Sequence, residues 1–171
     1  MTTESSHASK HLKRSRPVMP KGYGMPKGTG GLLSWEEVEQ KIADAHNYWV
    51  CTTRPDGSPH TMPVWAVWWN GAVYFSTDRG SRKARNIMAN PAMAIHLEIP
   101  REVVILEGTA EEVNDRAVLE PLDDLYQKKY EMRLSDAPGE SFLVRLKPKV
   151  VLAWTEKEFA SSPTRWEFTS E

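Results

Sequence analysis

Tyr48-Trp49-Val50-Cys51-Thr52-Thr53, then Arg54-Pro55-Asp56-Gly57-Ser58, then the run from Thr61 to Trp69, then Asn70-Gly71 and Val73 to Ser76: this stretch decides the fold. Two turns punctuate three runs rich in β-branched and aromatic residues. Proline fixes φ in the first turn and the Asp-Gly pair supplies a positive φ, while Asn-Gly is the preferred pair of a two-residue hairpin. The reading is three consecutive antiparallel strands over 48–53, 61–69 and 73–76.

Upstream, Ser34 with Glu37 three residues later forms a capping box, followed by Trp35, Val38, Ile42 and Ala45 at helical spacing. A helix over 34–45 follows. Downstream, Ser81 caps a short helix that runs to about Met88 and ends at Asn90-Pro91. Strands are expected over 92–98 and 103–113 around a turn at Pro100-Arg101. Asn114 or Asp115 caps a helical region to about Arg133, interrupted or restarted at Pro121. Strands over 141–146 and 150–155, with a break or bulge at Pro148, complete the order. Antiparallel hairpins without βαβ units favour a mainly β, α+β architecture: a closed or nearly closed antiparallel barrel flanked by short helices, since closure removes exposed strand edges. A Rossmann-type fold is disfavoured, and no Gly-x-Gly-x-x-Gly follows a strand.

A chain of 171 residues with 40% hydrophobic side chains suits one core. Its net charge of -1 conceals an uneven layout. Lys10, Lys13, Arg14, Arg16, Lys21 and Lys27 stand against Glu4 in the first 33 residues, which are also rich in glycine and proline. Residues 1–33 therefore read as a flexible basic arm and 34–171 as the domain, with a C-terminal tail from about 156. Nucleic-acid binding through that arm is the lesser reading. Cys51 lies in an apolar run, as expected of a buried thiol in a reducing compartment. No stretch approaches the ~20 apolar residues of a membrane span, so a cytoplasmic protein is expected.

The chemistry concentrates between Tyr74 and Ile87. Here a strand end, a tight loop and a helix start bring Ser76, Thr77, Ser81, Arg82 and Lys83 together. A helix N-terminus offers unpaired N–H groups and a positive dipole end, so the segment suits an anion, most simply a phosphate. An ordinary capped helix with a solvated basic face explains the same residues without a ligand. The Gly-rich segment near the N-terminus lacks the Gly-Lys-Ser/Thr ending of a triphosphate loop. His7, His11, His46, His60 and His96 show no metal-ligand spacing, and Gly57-Ser58-Pro59 reads as a turn and not as a nucleophile elbow. Neither a metal site nor a Ser-His-Asp triad is expected.

Asp56-Gly57-Ser58-Pro59, Pro63-Val64-Trp65, Tyr74-Phe75-Ser76-Thr77, Ser81-Arg82-Lys83-Ala84-Arg85-Asn86-Ile87 and Asn90-Pro91, in that order and spacing, resemble the pyridoxamine-5'-phosphate oxidase-like split-barrel superfamily. The likeness is to its short flavin and deazaflavin oxidoreductases, of the kind common in actinobacteria, and spans nearly all of residues 34–155. The resemblance implies a six- to seven-stranded split β-barrel. It also implies a homodimer with a cofactor in each cleft between subunits. His60, Thr61, Met62, Pro63, Val64 and Trp65 would run along the isoalloxazine ring, Ser76 and Thr77 would meet the ribityl or phosphate end, and Arg82, Lys83 and Asn86 would hold the phosphate. FMN and the deazaflavin coenzyme F-420 fit about equally, with Arg14, Arg16, Lys21 and Lys27 available for the oligoglutamate tail of the latter.

Strand alternation places Val64, Ala66 and Trp68 on one face and Trp65, Val67 and Trp69 on the other, one of them facing the barrel interior. Trp154 to Phe168 carries Arg165 and Trp166 in a tail that reads as docked onto a surface. Trp166 and Phe168 covering the barrel wall explains it without a ligand. By the same resemblance such a tail can return to the cofactor cleft or cross the dimer interface, where Arg165 would meet a phosphate or an acidic substrate. The sequence thus points to a flavin-nucleotide oxidoreductase acting on a small molecule. The alternative is a non-catalytic flavin-binding or sensing protein. The lone Thr164-Arg165-Trp166 in place of a basic C-terminal cluster argues against pyridoxamine phosphate oxidation.

Overall fold

The structure, a computed structural model, describes residues 12–136 and 139–169. In chain order its elements are β1 (Leu12–Ser15), α1 (Trp35–Asp44), β2 (Tyr48–Thr53), β3 (Pro59–Val64), β4 (Val67–Trp69), β5 (Ala72–Asp78), α2 (Arg82–Ala89), β6 (Ala92–Leu97), β7 (Glu102–Glu112), α3 (Arg116–Tyr130), β8 (Ser141–Thr155) and β9 (Thr164–Phe168).

Local chemistry sets the hairpins and caps as the sequence predicts. In the β2–β3 turn Gly57 takes φ +83° and Asp56 Oδ1 accepts from Ser58 N at 2.9 Å. Asn70 and Gly71 both adopt positive φ, which matches the twist of the β4–β5 hairpin. Ser34 and Glu37 form the reciprocal capping box of α1, and Ser81 accepts from Ala84 N to cap α2.

All strand pairings are antiparallel, in the order β1-β9-β8-β7-β6-β2-β3, with β4 paired to β5 and β5 to β8. The run expected as one strand over 61–69 changes partner in its middle. Its first part pairs with β2 and its second with β5, so the ring β2-β6-β7-β8-β5 is completed only through the chain between Val64 and Val67. The barrel is split there. The side-chain alternation survives the break: Val64, Ala66 and Trp68 join the interior cluster, while Val67 and Trp69 pack outside under α3.

The interior is filled by residues such as Val50, Phe75, Ile95, Leu106, Val144 and Trp166. A second cluster, with Leu122, Tyr126 and Tyr130 of α3 on Val67, Tyr74 and Leu143, covers the outer face of β4, β5 and β8. The helix runs unbroken through Pro121, against the expected interruption. Burial of that helical face offsets the one backbone hydrogen bond that proline removes.

Two strands expected over 141–155 are one, and Pro148 sits at a bulge. The β7–β8 register shifts between Glu107 and Gly108, where Gly108 faces Pro148.

Both termini depart from the expected tails. Lys13 and Arg14 lie in β1, paired with β9, and Arg16 donates to the carbonyls of Gly28 (2.8 Å), Gly30 and Ser161 (2.8 Å). The guanidinium gathers the Gly-rich segment onto the body, supplying the order that its lack of apolar side chains seemed to deny. Lys10, His7, His11 and the rest of residues 1–11 lie outside the described residues. Thr164–Phe168 adds a strand to β8, so the chain end is part of the sheet. Among the described residues no helix is long and apolar enough to cross a membrane.

Candidate functional site

At the split, the ends of β3, β5 and β8 meet the start of α2 and the end of α3. They enclose a cleft of about 300 Å³. Its walls include Pro63 and Val64 from the end of β3, Trp65 just after it, Ser76, Thr77 and Asp78 from β5, Lys83 from α2 and Ser141 from β8. Tyr126 of α3 and, beyond it, Met132 and Leu134 complete the wall. The β5–β8 register places Asp78 opposite Ser141. Glu131 caps α3 with φ +59°, and this left-handed turn leads the chain to Met132 and Leu134.

The cleft has two chemically distinct ends. One is hydroxylic and cationic. Ser76 Oγ and Ser141 Oγ are 2.9 Å apart, Thr77 Oγ1 donates to the α2 cap Ser81 Oγ at 3.1 Å, and half-buried Lys83 stands in the first turn of α2. Loss of hydration lowers the pKa of the Lys83 ammonium, the direction that an anionic ligand opposes. Asp78 also lines this end, with its Oδ1 accepting from Gly80 N at 2.7 Å. The other end is apolar and aromatic: Pro63, Val64, Trp65, Tyr126, Met132 and Leu134.

Pro63, Val64, Trp65, Ser76, Thr77 and Lys83, singled out in the sequence, are brought together in this cleft. Ser81 serves as the helix cap behind Thr77. His60, Thr61 and Met62 continue along β3 beyond the cleft lining, and Arg82 is exposed on α2. Lost hydration, then the charges of Arg54, Lys83 and Arg82, lower the His60 pKa below the ordinary imidazole value.

Three of the singled-out residues lie elsewhere. Asn86 is fully buried and donates from Nδ2 to Thr52 Oγ1 at 3.0 Å, so it ties α2 to β2 and does not face the cleft. With Ala84 and Ile87 it makes up the buried side of the helix. Trp166 is fully buried against Trp35, and Arg165 pairs with Glu167 at 2.6 Å on β9. Pairing of β9 with β8 and burial of Trp166 make that tail part of the sheet. Arg14 and Arg16 are likewise engaged with backbone carbonyls of the body, Arg14 with that of Leu33 at 3.3 Å.

Sequence reasoning missed Asp78, which follows Thr77 on β5, and Tyr126, Met132, Leu134 and Ser141, which reach the cleft through long-range pairing and helix packing. It also missed Lys129 and Tyr130, behind the cleft wall. The Tyr126 hydroxyl donates to the Trp65 carbonyl at 2.7 Å. The Tyr130 hydroxyl accepts from Ala66 N at 3.0 Å and stands within donating distance of the Ala66 carbonyl (2.8 Å). Lys129 Nζ donates to the carbonyls of Ala43 (2.8 Å) and Ala66 (3.2 Å) and to the Tyr48 hydroxyl (3.0 Å). The spacing i, i+3, i+4 was the available signal: it puts all three side chains on one helical face. Together they satisfy backbone groups that the split leaves without a strand partner. Burial lowers the Lys129 pKa to about 8 and raises that of Tyr130 to about 12.

Comparison with known proteins identifies the fold and the family. A family model described as pyridoxamine 5'-phosphate oxidase matches residues 34–155. No curated protein matches the sequence. Among solved structures, an F-420 reductase is 24% identical with a TM-score of 0.54, covering 66% of this chain and 94% of its own. A conserved hypothetical protein from Mycobacterium tuberculosis is 20% identical with a TM-score of 0.65, covering 77% of this chain and 91% of its own. General Stress Protein 26 from Bacillus anthracis is 22% identical with a TM-score of 0.58, covering 69% and 91%. At these identities the structures share the fold, and the matched segment extends from the cap of α1 to the end of β8. The chain belongs to the pyridoxamine 5'-phosphate oxidase-like split-barrel family.

Proposed function

We propose that this protein binds a flavin-type nucleotide, FMN or the deazaflavin F-420, in the cleft at the split and uses it as an oxidoreductase on a small organic substrate. One observation carries the reading: a single cleft joins a hydroxyl-and-lysine end at the start of α2 to an apolar, aromatic end. That donor set fits a ligand with an anionic group at one end and a flat ring at the other. The family match and the F-420 reductase of the same fold support it.

Bound there, a flavin supplies hydride exchange, and the protein's part is to bind and orient it. Lys83, Ser76, Thr77 and the α2 N-terminus hold the anionic end. Pro63, Val64 and Trp65 flank the ring. With Arg14 and Arg16 engaged on the body, Lys21 and Lys27 are what remain of the basic residues suggested for an oligoglutamate tail.

A homodimer is part of the proposal. β3 ends the hydrogen-bonded strand order, and Met62 (45% exposed) offers it an apolar surface that a second copy would cover.

The test is steady-state reduction of quinone and nitroaromatic acceptors by the protein loaded with FMN, with NADH or NADPH as hydride donor, or supplied with excess reduced F-420. Turnover above that of the free cofactor is expected. Tight binding without turnover would replace the oxidoreductase with a flavin-binding protein.

A further inference from the structure

Trp65 is a large hydrophobic side chain that is exposed yet held. Its indole lies parallel to the Tyr130 ring, with centroids 4.9 Å apart and an interplanar angle of 7°, and the His46 ring meets it edge-on at 6.2 Å. One face is covered, and 43% of the residue remains exposed at the cleft.

Its backbone is held as firmly. Tyr126 takes the Trp65 carbonyl, Tyr130 accepts from the Ala66 N–H of the same peptide unit, and Tyr130 and Lys129 both reach the Ala66 carbonyl of the next. The same Lys129 reaches α1 through the Ala43 carbonyl and β2 through the Tyr48 hydroxyl, so the break between β3 and β4 is fixed from three sides. Ordinary core packing needs none of this at an exposed indole. An aromatic surface whose ordering cost is met before a ligand arrives is what preorganised binding requires.

We infer that Trp65 is a preorganised stacking platform for the flavin ring, and that Tyr130 and Lys129 are positioning residues that hold it without touching the ligand. The inference rests on the proposed function and adds to it three residues and their division of labour. The anionic end of the ligand is read by Lys83, the ring by Trp65 and the helix behind it.

Riboflavin and FMN separate the two ends, because they share the ring and differ in the phosphate. Titrations of both are compared in wild type, Trp65→Leu, Trp65→Phe, Tyr130→Leu and Lys129→Met, with thermal midpoints alongside. Trp65→Leu is expected to weaken both ligands about tenfold and by the same factor. Trp65→Phe keeps an aromatic face and most of the affinity. Tyr130→Leu and Lys129→Met weaken both ligands in parallel, and hydrogen exchange at the Ala66 amide speeds up in Tyr130→Leu without ligand.

Wild-type binding with unchanged affinity in Trp65→Leu would overturn the platform while leaving the proposed function standing. A lower thermal midpoint with unchanged affinities in Tyr130→Leu and Lys129→Met would make these two residues structural only. Failure of wild type to bind riboflavin, FMN and F-420 alike would overturn both readings.

Discussion

Asn86 Nδ2 donates to Thr52 Oγ1 at 3.0 Å, joining α2 to β2 through two buried side chains. Thr52 Oγ1 lies in turn 3.4 Å from the His60 carbonyl on β3. The helix that presents Lys83 to the cleft is thereby anchored to the barrel wall. Asn86→Ala is expected to lower stability by about 1–3 kcal/mol, the cost of removing a buried hydrogen-bonding partner. Its effect on anion affinity should stay within about twofold. Chemical denaturation and an FMN titration on the same variant check the two halves of that statement.

Lys129 gives the fold a defined pH dependence. Burial lowers its pKa from the ordinary 10.5 to about 8. Below pH 8 the ammonium is charged in both folded and unfolded chains, and its lost hydration counts against the fold. Between about 8 and 10.5 the folded chain has released the proton that the unfolded chain keeps, so this residue's contribution to stability rises with pH. Above 10 the sign reverses through Tyr48, Tyr126 and Tyr130, whose raised pKa values keep their protons on when the unfolded chain ionises. Measured by urea melts, wild type should gain stability relative to Lys129→Met from pH 8 to 10. A constant difference would contradict the assignment.

His60 feels the charge of the anionic end of the cleft. Lost hydration and the cations Arg54, Lys83 and Arg82 lower its pKa below 6.5. An anion at Lys83 offsets part of that charge, so the His60 pKa should rise when inorganic phosphate or FMN is added. An NMR titration of the imidazole protons, with and without phosphate, reads this directly. A free value at or above 6.5 would remove the electrostatic argument.

Gly108 faces the β7–β8 bulge, where a Cβ would lie 2.3 Å from the Lys147 carbonyl oxygen and 3.1 Å from Leu146 Cδ1. A backbone atom cannot turn aside as a flexible side chain does. Gly108→Ala is expected to cost about 1–3 kcal/mol by overpacking, seen as a thermal midpoint lower by several degrees with ligand affinity retained.

What was legible in the sequence was local. Asp56-Gly57, Asn70-Gly71, Ser34 with Glu37, and Ser81 each fix a turn or a cap within a few residues, and the structure realises all of them. The anion end of the cleft was legible for the same reason, since Ser76, Thr77 and Lys83 belong to one strand-loop-helix segment. The partner change at Trp65–Ala66 was not. Alternation continues through it, and only the tertiary positions of β2 and β5 break the strand. Ser141 and Tyr126 enter the site across 65 and 61 residues of chain from their hydrogen-bonded partners Ser76 and Trp65, beyond any local pattern. Trp166 and Arg16 stand near the termini and both tie the chain ends to the barrel, Trp166 as the wall-covering reading had it and Arg16 where a ligand tail was the expectation.

The central claim, a flavin nucleotide held by its anionic end at Lys83, is tested most directly by calorimetric titration of FMN and F-420 into wild type and Lys83→Ala, with riboflavin as the control. Wild type is expected to bind at least one nucleotide at micromolar concentration or tighter. Lys83→Ala should weaken that nucleotide by about 10- to 100-fold, as the loss of a charge-assisted hydrogen bond implies, with riboflavin affinity and thermal midpoint unchanged. No binding of either nucleotide by wild type, or equal affinity in Lys83→Ala, would contradict it.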